Sequence, residues 1–196
     1  MSGGVAGLVL AAGAGSRFTG GVKQLAAFRG RPLVEHAVSV LATPALAARF
    51  VVLGAEADAI VAGADLGDAR VVRCAGWEEG LSASLRAGVA AASAAGLHAV
   101  VIVLGDQPLL ATAAVDRVVA ARAPERFDAV RATYAGVPGH PTLLESSTFA
   151  AVSALRGDAG ARELLPSIRV QQVACDGLGR PDDADTPADL ARLAAG

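Results

Sequence analysis

The sequence predicts an α/β protein in which a mostly parallel β-sheet lies between two layers of helices, a three-layer α/β/α sandwich. Two observations lead to this prediction. Apolar, strand-like runs alternate with Ala-rich helical stretches, and such alternation is typical of a parallel sheet that helices cover on both faces. Of the 196 residues, 53% are hydrophobic but only 4% are aromatic, so the core must be built mainly from Ala, Val and Leu. We see no internal repeat or interdomain linker and expect one domain over residues 1–196.

The strands and helices are predicted from hydrophobic runs and from the residues that begin or end them. The predicted strands are the apolar runs Gly7–Leu10, Phe50–Leu53, Arg70–Arg73, Ala99–Leu104, Asp128–Ala132 and Arg169–Ala174. The predicted helices lie between them at Pro32–Ala42, Ala55–Ala62, Leu81–Ala94, Ala111–Ala123, Ser147–Ala154 and Ala159–Leu165. Pro32 suits a first helical turn, and Thr186 with Pro187 suits the cap and first turn of a short final helix.

Charge and cysteine content exclude several classes of function. The formal net charge is −2, with 17 basic and 19 acidic residues and no basic run, which argues against a nucleic-acid partner. Cys74 and Cys175 form no metal-ligand cluster; we expect two buried thiols, with a disulfide as the alternative. The N-terminal apolar stretch lacks a basic flank, and no segment has the length and composition of a membrane span. A cytoplasmic protein without a membrane partner is expected.

The most informative segment is Leu10–Leu25, LAAGAGSRFTGGVKQL, which follows the apolar run Val5–Leu10. This order describes a buried strand that opens into a loop of small residues, followed by two cations, Arg17 and Lys23. A loop almost without side chains lets backbone N–H groups approach an anion closely, and the cations neutralise that anion. The segment therefore predicts a binding site for a nucleotide triphosphate. The alternative is a plain strand-to-helix turn with two solvated cations.

Two familiar phosphate-binding patterns fail on their spacing. A dinucleotide-binding fingerprint would need a third glycine where Phe18 stands. A Walker A loop counted from Gly15 would need a lysine directly after Gly20, but Gly21 follows and Lys23 comes two residues late. The loop therefore belongs to neither class.

Acidic residues follow the most apolar strand and recur near the C-terminus. Val100–Leu104 leads into Gly105 and Asp106, so a carboxylate stands on a rigid support, where it can meet a cation that also binds phosphate. The alternative is an ordinary turn aspartate before proline. Asp183 and Asp185 form a second acidic group, and Asp185 could instead belong to a helix start. Because Mg²⁺ usually takes one or two protein carboxylates with phosphate and water, Asp106 with Asp183 would suffice.

Together these features resemble the MobA-like nucleotidyltransferases, most closely the molybdenum-cofactor cytidylyltransferase (MocA-like) branch. The resemblance covers nearly the whole chain and rests on motifs in the family's order. They are Leu10–Gly13 through Arg17, Lys23–Leu25, Gly30–Leu33, Glu79–Gly88, Gly105–Pro108, Gly139–Pro141, Gly157–Arg162 and Asp183–Pro187. The family's proline before the signature lysine is missing here, and Ala184 replaces the usual β-branched residue. The resemblance implies the Rossmann-like three-layer sandwich of the nucleotide-diphospho-sugar transferase fold.

The resemblance also implies roles for individual residues. The nucleotide would be bound by Leu10, Ala11, Ala12, Gly13, Gly15, Arg17, Lys23, Gly80, Ser84 and Asp106. Lys23, Arg17 and Asp106 would be the catalytic residues. Mg²⁺ would be the cofactor, held by Asp106 with Asp183 or Asp185. The acceptor would be bound by Gly139, His140 and Pro141 in one loop and by Asp158 and Arg162 in another.

Ala12 bears on the choice of nucleotide. In the family, Leu-Ala-Ala-Gly goes with cytidine nucleotides and Leu-Ala-Gly-Gly with guanosine nucleotides, so the resemblance favours CTP. One methyl group at a base-facing turn supplies discrimination of about 1–3 kcal/mol. The implied reaction moves CMP from CTP to a phosphorylated small molecule, molybdopterin (the molybdenum cofactor), with release of pyrophosphate. Alternatives are a guanylyltransferase, another phosphorylated acceptor such as a sugar phosphate or phospholactate, or a non-catalytic protein that delivers molybdenum cofactor to a molybdoenzyme.

Overall fold

The computed structural model describes residues 3–195 and contains one large sheet and one short hairpin. The strands are β1 (Val5–Leu10), β2 (Ala27–Phe28), β3 (Arg31–Pro32), β4 (Ala48–Leu53), β5 (Arg70–Arg73), β6 (Ala99–Leu104), β7 (Ala129–Tyr134), β8 (Val137–Glu145) and β9 (Val170–Ala174). The helices are α1 (Leu33–Val40), α2 (Ala57–Gly63), α3 (Leu81–Ala94), α4 (Thr112–Ala120), α5 (Phe149–Ala154), α6 (Ala161–Leu164) and α7 (Pro187–Ala195). The 7-stranded sheet has the order β5-β4-β1-β6-β8-β7-β9, and β2 pairs with β3.

The predicted α/β class and the mostly parallel sheet are confirmed. Strands β5, β4, β1 and β6 are parallel neighbours, and β7 is parallel to β9. Strand β8 alone runs antiparallel to its neighbours, β6 and β7. The sheet therefore has one reversed strand near its centre, beside the strand that leads to Asp106.

Strand β8 was not predicted, and the expectation that Gly139, His140 and Pro141 form a loop was wrong. Two prolines and a glycine in Val137–Pro141 are residues that strands disfavour, so the local pattern indicates a turn. The second half of β8, from Pro141 to Glu145, is buried and pairs with β6 and β7 at once. This central position in the sheet outweighs the local preference.

Helix ends differ from the predictions by a few residues. Helix α1 begins at Leu33, because Pro32 is held in extended conformation in the β2–β3 hairpin. The helix predicted from Ala159 to Leu165 is shorter, since α6 covers only Ala161–Leu164 and a 3-10 turn follows. The cap of the final helix is as predicted: the Asp189 amide donates a hydrogen bond to Thr186 Oγ1 over 3.1 Å.

Two hydrophobic clusters fill the spaces on either side of the sheet. Helices α1, α2 and α4 pack on one face, through residues such as Val34, Ile60 and Val115. Helices α3, α5 and α6 pack on the other face. Gly88 lets α3 approach the sheet closely, because a Cβ there would lie 3.0 Å from Leu8 Cδ1. The predicted three layers are therefore present.

The cysteines agree with the expectation of two buried thiols. Cys74 and Cys175 are both buried and free, so they form no disulfide. Within residues 3–195, no helix is both long and apolar enough to cross a membrane.

Candidate active site

A cleft of about 500 Å³ opens at the carboxyl ends of β1 and β6, where they meet the start of α3. Its walls include most of the predicted nucleotide-binding residues, namely Leu10, Ala12, Gly13, Gly15, Gly80, Ser84 and Asp106. Ala11 and Lys23 line an adjoining cavity of about 100 Å³, which shares the walls around Asp106. This is the place in an α/β sheet where ligands are expected to bind.

The loop after β1 presents unused backbone N–H groups. In the described chain, the amide of Ala11 donates to Val52 O and the amide of Phe18 donates to Gly15 O. None of the amides of residues 12–17 donates to a protein acceptor among residues 3–195. Of these residues, Gly13, Ala14, Ser16 and Arg17 are exposed, whereas Ala12 is buried and Gly15 is half-buried. A loop with free amides beside cations can bind phosphate oxygens, as the sequence predicts.

Gln24 holds this loop in place, a role that the sequence analysis did not assign. Its side-chain Nε2 donates to Ala11 O over 3.0 Å and to Gly13 O over 2.8 Å. Both carbonyls are thereby turned towards the buried amide of Gln24. The sequence feature that could have pointed to this role of Gln24 is its position directly after Lys23 in the motif.

Gly105 allows the Asp106 turn to lie against the loop. A Cβ at Gly105 would lie 2.7 Å from Ala11 Cβ, closer than side chains can approach. The Gly105 amide donates to Leu10 O over 3.0 Å, which joins the ends of β1 and β6. Any side chain at this position would push Asp106 away from the loop.

Lys23 joins the loop after β1 to the Asp106 turn and to the segment before α7, through ion pairs. Its Nζ lies 2.7 Å from Asp106 Oδ2 and 3.1 Å from Asp185 Oδ1. Lys23 is only 8% exposed and is the single lysine of the chain. Burial by itself would lower the pKa of Lys23, but the two carboxylates outweigh burial and raise it, so the amine stays protonated. Arg17 Nη2 lies 3.0 Å from Asp185 Oδ2 at the mouth, with its side chain 72% exposed.

The segment before α7 is tied to the Asp106 turn, which brings Asp185 to Lys23 at the cleft. The Ala184 amide donates to Asp106 O over 2.9 Å, and Ala184 is fully buried. Gln107 Nε2 donates to Asp183 Oδ1 over 2.8 Å. Burial raises the pKa of Asp183, the Gln107 hydrogen bond opposes this, and the charges of Asp106 and Asp185 add to the rise. Asp183 and Asp185 thus lie on either side of a residue anchored in the core.

The carboxylates suit a hard divalent cation that also binds phosphate. Asp106 Oδ1 is buried and has no hydrogen-bond partner within the described residues. Nowhere in residues 3–195 do three or more His, Cys, Asp or Glu side chains form a ready metal centre. Mg²⁺ commonly takes one or two carboxylates and completes its shell with phosphate oxygens and water. The donor set therefore fits Mg²⁺ bound together with a nucleotide.

The far wall of the cleft is formed around Gly80. Gly80 has φ of 112°, and a Cβ there would lie 2.7 Å from the backbone of Gly157 and would collide with Asp158. This close approach brings Asp158 into the cleft wall beside Ser84. Trp77, the single tryptophan of the chain, lines the same wall and was not singled out from the sequence.

The other predicted acceptor residues are not among the residues that line the cleft. Gly139, His140 and Pro141 are in β8, and Arg162 is in α6 with its side chain 79% exposed. Burial lowers the pKa of His140 to about 4, and the charge of Arg131 acts in the same direction. His140 is therefore neutral near pH 7.

Comparison with known proteins places this geometry in a family. Residues 7–173 match the MobA-like NTP transferase domain. The chain is 35% identical to the nicotine blue oxidoreductase of Paenarthrobacter nicotinovorans over 198 residues, covering 96% of both proteins. Over 100% of both chains, it superposes on Rv0371c of Mycobacterium tuberculosis H37Rv with a TM-score of 0.88 and 30% identity.

Two further structures bear on the metal and the fold. A manganese complex of Rv0371c matches with a TM-score of 0.82 and 29% identity, covering 98% of this chain and 99% of that one. A CMP:2-keto-3-deoxy-manno-octonic acid synthetase solved with CTP shares the fold, with a TM-score of 0.75 at 15% identity, covering 98% of this chain and 97% of that one. The predicted nucleotide-diphospho-sugar transferase type of sandwich is thus confirmed. The chain belongs to the MobA-like NTP transferase family.

Proposed function

We propose that this protein is a Mg²⁺-dependent cytidylyltransferase that moves CMP from CTP to the phosphate of molybdopterin and releases pyrophosphate. The observation that carries the proposal is the position of Lys23, held between Asp106 and Asp185 beside the free amides of residues 12–17. This arrangement can neutralise a triphosphate and leave its α-phosphorus accessible from the cleft. The resemblance of the motifs supports molybdopterin as the acceptor, and Ala12 supports CTP.

The transfer needs positioning and charge neutralisation more than acid–base chemistry. A non-bridging oxygen of the acceptor phosphate forms a bond to the α-phosphorus of CTP. The bond from that phosphorus to the oxygen that bridges to the β-phosphate breaks, and its electron pair leaves on pyrophosphate. A phosphate monoester is largely ionised near pH 7, with its second pKa at about 6, so no general base is required. Lys23 and Arg17 would balance the charge that develops on pyrophosphate.

Asp106 and Asp185 are the side chains that we propose as holders of Mg²⁺. Both already share the Lys23 ammonium, whereas Asp183 is engaged by Gln107. When bound, Mg²⁺ supplies positive charge that neutralises phosphate oxygens. An Asp185→Asn variant should therefore bind Mg·CTP more weakly than an Asp183→Asn variant does. Equal loss in the two variants would contradict this assignment.

Pyrophosphate release from CTP, with molybdopterin and Mg²⁺ present, tests the activity. Asp106→Asn should lower turnover by about 100-fold or more while leaving the fold intact, because a charge contact to the reacting phosphates is lost. Asp58→Asn, the same change at an exposed position outside the cleft, is the matched control and should keep full activity. Near-normal turnover of Asp106→Asn would remove the proposed role of this carboxylate.

The same assay separates the rival acceptors, nucleotides and roles. Faster release from GTP or UTP than from CTP would indicate a sister transferase. Pyrophosphate release with a sugar phosphate or phospholactate, and none with molybdopterin, would move the proposal to another acceptor. Tight binding of molybdopterin without release from any nucleotide would favour a delivery protein for a molybdoenzyme.

A redox function is the second candidate, because the name of the relative from Paenarthrobacter nicotinovorans assigns that protein an oxidoreductase activity. Such a reaction would need a hydride donor in the cleft. Here the dinucleotide fingerprint is broken at Phe18, and Lys23 with Asp106 suits a metal-bound triphosphate better. Trp77 fluorescence, titrated with NADH or with Mg·CTP, distinguishes the two ligands. Tighter binding of NADH would overturn the transferase proposal.

A further inference from the structure

Arg131 is a cation in the middle of β7 that neither the motifs nor the proposed reaction uses. It is paired with Thr142 of β8 on one side and with Gln172 of β9 on the other. Because side chains alternate along a strand, Arg131 shares its face of the sheet with Ala129. Ala129 belongs to the hydrophobic cluster under α3, α5 and α6. Arg131 therefore lies on the same face of the sheet as the start of α3 and the nucleotide cleft.

The guanidinium of Arg131 lacks the partners that such a group normally has. Its Nε is buried and has no hydrogen-bond acceptor in the described part of the chain. None of the ion pairs formed among residues 3–195 includes Arg131. A partly buried charge without a counter-ion destabilises a fold, so Arg131 should lower the free energy of unfolding. Burial lowers the pKa of Arg131, and the neighbouring charge of Arg162 lowers it further.

The groups around Arg131 also suit an anion. Arg162 is the second guanidinium that acts on it, and it extends into solvent from α6. His140 lies close enough for the charge of Arg131 to act on its ring, which is neutral near pH 7 and can donate one hydrogen bond. The carboxylate nearest Arg162, Glu163, lies 3.6 Å away and already accepts a hydrogen bond from the Gly160 amide. Arg131, His140 and α6 with Arg162 thus lie on one face of the sheet, and no carboxylate forms an ion pair with Arg131 among residues 3–195.

This corner borders the nucleotide cleft. Thr142, the partner of Arg131, is paired on its other side with Ile102 of β6. Two residues further along β6, Leu104 forms part of the cleft wall. Arg131 is therefore separated from the cleft-lining strand by β8 alone, and His140 lies in β8 on the side towards the end of β6. A small molecule in the cleft could reach both the nucleotide and this corner.

We propose that Arg131, with Arg162 and His140, forms the binding site for a phosphate monoester group of the acceptor substrate. Guanidinium groups are suited to this task because their planar fork matches two phosphate oxygens at once. The assignment to an acceptor rests on the proposed transferase function, whereas the binding of a phosphate monoester at Arg131 can be measured without it. Lys23 and Arg17 would hold the nucleotide, and Arg131 would hold the second substrate.

Stability without ligand gives the first test. Replacement of an uncompensated, partly buried cation by a shorter, neutral side chain should relieve its desolvation cost. Arg131→Gln should therefore raise the melting temperature by a few degrees in a buffer without phosphate. Arg126→Gln, which changes the net charge equally at an exposed position, should leave it unchanged. A lower melting temperature for Arg131→Gln would show that the guanidinium has structural partners and would overturn the proposal.

Calorimetric titration with phenyl phosphate gives the second test. The wild-type protein should bind phenyl phosphate, and Arg131→Gln should lose at least 10-fold in affinity, while Arg131→Lys should keep part of it. Affinity for Mg·CTP, followed by Trp77 fluorescence, should be the same in wild type and Arg131→Gln. Equal binding of phenyl phosphate to both proteins would overturn the site. If phenyl phosphate binding depends on Arg131 but CTP does not bind, the site stands and the transferase function fails.

Discussion

Lys23 Nζ lies 2.7 Å from Asp106 Oδ2, although the two residues are 83 positions apart in the chain. One residue comes from the loop after β1 and the other from the turn after β6, and these parallel strands are neighbours in the sheet. The contact therefore ties the proposed anion-binding loop to the proposed metal-binding carboxylate. Without a nucleotide, the positive charges of Lys23 and Arg17 are paired with the carboxylates of Asp106 and Asp185.

Replacement of Lys23 by methionine should weaken CTP binding. The ammonium between Asp106 and Asp185 would be lost, so the carboxylates would repel both each other and the triphosphate. We expect a loss of about 10- to 100-fold in affinity, equivalent to about 1.4–2.7 kcal/mol. Titration of Trp77 fluorescence with Mg·CTP measures it. Lys23→Arg is the charge-preserving control and should rescue only in part, because a planar guanidinium is not a compact ammonium. Unchanged affinity of Lys23→Met would refute the triphosphate role.

Ala12→Gly should shift the nucleotide preference towards GTP. Ala12 is 2% exposed and lines the cleft, so removal of its methyl group enlarges the space that a base can use. The ratio of kcat/KM for GTP over CTP should rise by about 10-fold, within the 1–3 kcal/mol that one methyl group supplies. Ala45→Gly makes the same chemical change at an exposed residue outside the cleft, so it is the control and should leave the ratio unchanged. An unchanged ratio in Ala12→Gly would contradict a contact between the Ala12 methyl group and the base.

Gly80→Ala should damage both the fold and the cleft. Gly80 has φ of 112°, which L side chains rarely adopt, and its Cβ would collide with Asp158 and Gly157. We expect a loss of about 1–3 kcal/mol in the free energy of unfolding, measured by denaturant titration. Gly76→Ala, where a Cβ would meet nothing within 4 Å, should cost much less. A fully stable Gly80→Ala protein would contradict the close packing at this wall.

His140 should make stability depend on pH in a defined window. The unfolded protein takes up a proton at this residue near pH 6.5, but burial lowers the folded pKa to about 4. Between these values the unfolded state binds more protons, so the contribution is complete above pH 6.5 and is lost as the pH falls towards 4. The melting temperature of wild type should fall more steeply in this window than that of His140→Gln. Parallel curves for the two proteins would mean that His140 titrates normally.

Arg122→Met should destabilise the protein without touching the cleft. Arg122 Nε lies 2.7 Å from Glu145 Oε1, and the two side chains are only 9% and 5% exposed. Removal of the cation leaves Glu145 buried without a partner, which costs about 3–5 kcal/mol of unfolding free energy. The double variant Arg122→Met, Glu145→Met should recover much of the loss. If the double variant were as unstable as the single one, lost packing rather than charge would be the cause.

Strands β1, β4 and β6 were predictable because each contains a continuous apolar run that ends at small residues. Strand β8 was not, since Pro138, Gly139 and Pro141 argue locally against a strand and only its neighbours β6 and β7 explain it. The same limit applies to His140. A motif shows that a residue type is present, but the environment that lowers its pKa comes from a distant strand.

Within the candidate site, charged residues were easier to predict than their supports. Lys23 and Asp106 stand out by charge and by position after apolar strands. Gln24 and Gln107, whose amides bind the loop and the late segment, carry no charge and resemble ordinary surface residues in the sequence. Arg131 could not be identified from the sequence, because the missing counter-ion is a property of the packed sheet.

The late acidic segment, with Asp183 and Asp185, lies outside the part of the chain that matches the family. The match to the MobA-like domain ends at residue 173, before Asp183 and Asp185. The buried Ala184 ties both aspartates to the Asp106 turn, because its amide donates a hydrogen bond to Asp106 O. Transfer of site residues from the matched range alone would therefore omit both aspartates.

The burial of the single lysine has a practical consequence for amine chemistry. Because Lys23 is 8% exposed and ion-paired, the folded chain presents no accessible lysine side chain to acylating reagents among its described residues. Its raised pKa keeps the amine protonated and therefore poorly nucleophilic. Among side chains, lysine-directed labelling, coupling and cross-linking would all report on one atom, Lys23 Nζ. Any acylation of that atom would mark molecules in which the Asp106 pair had opened.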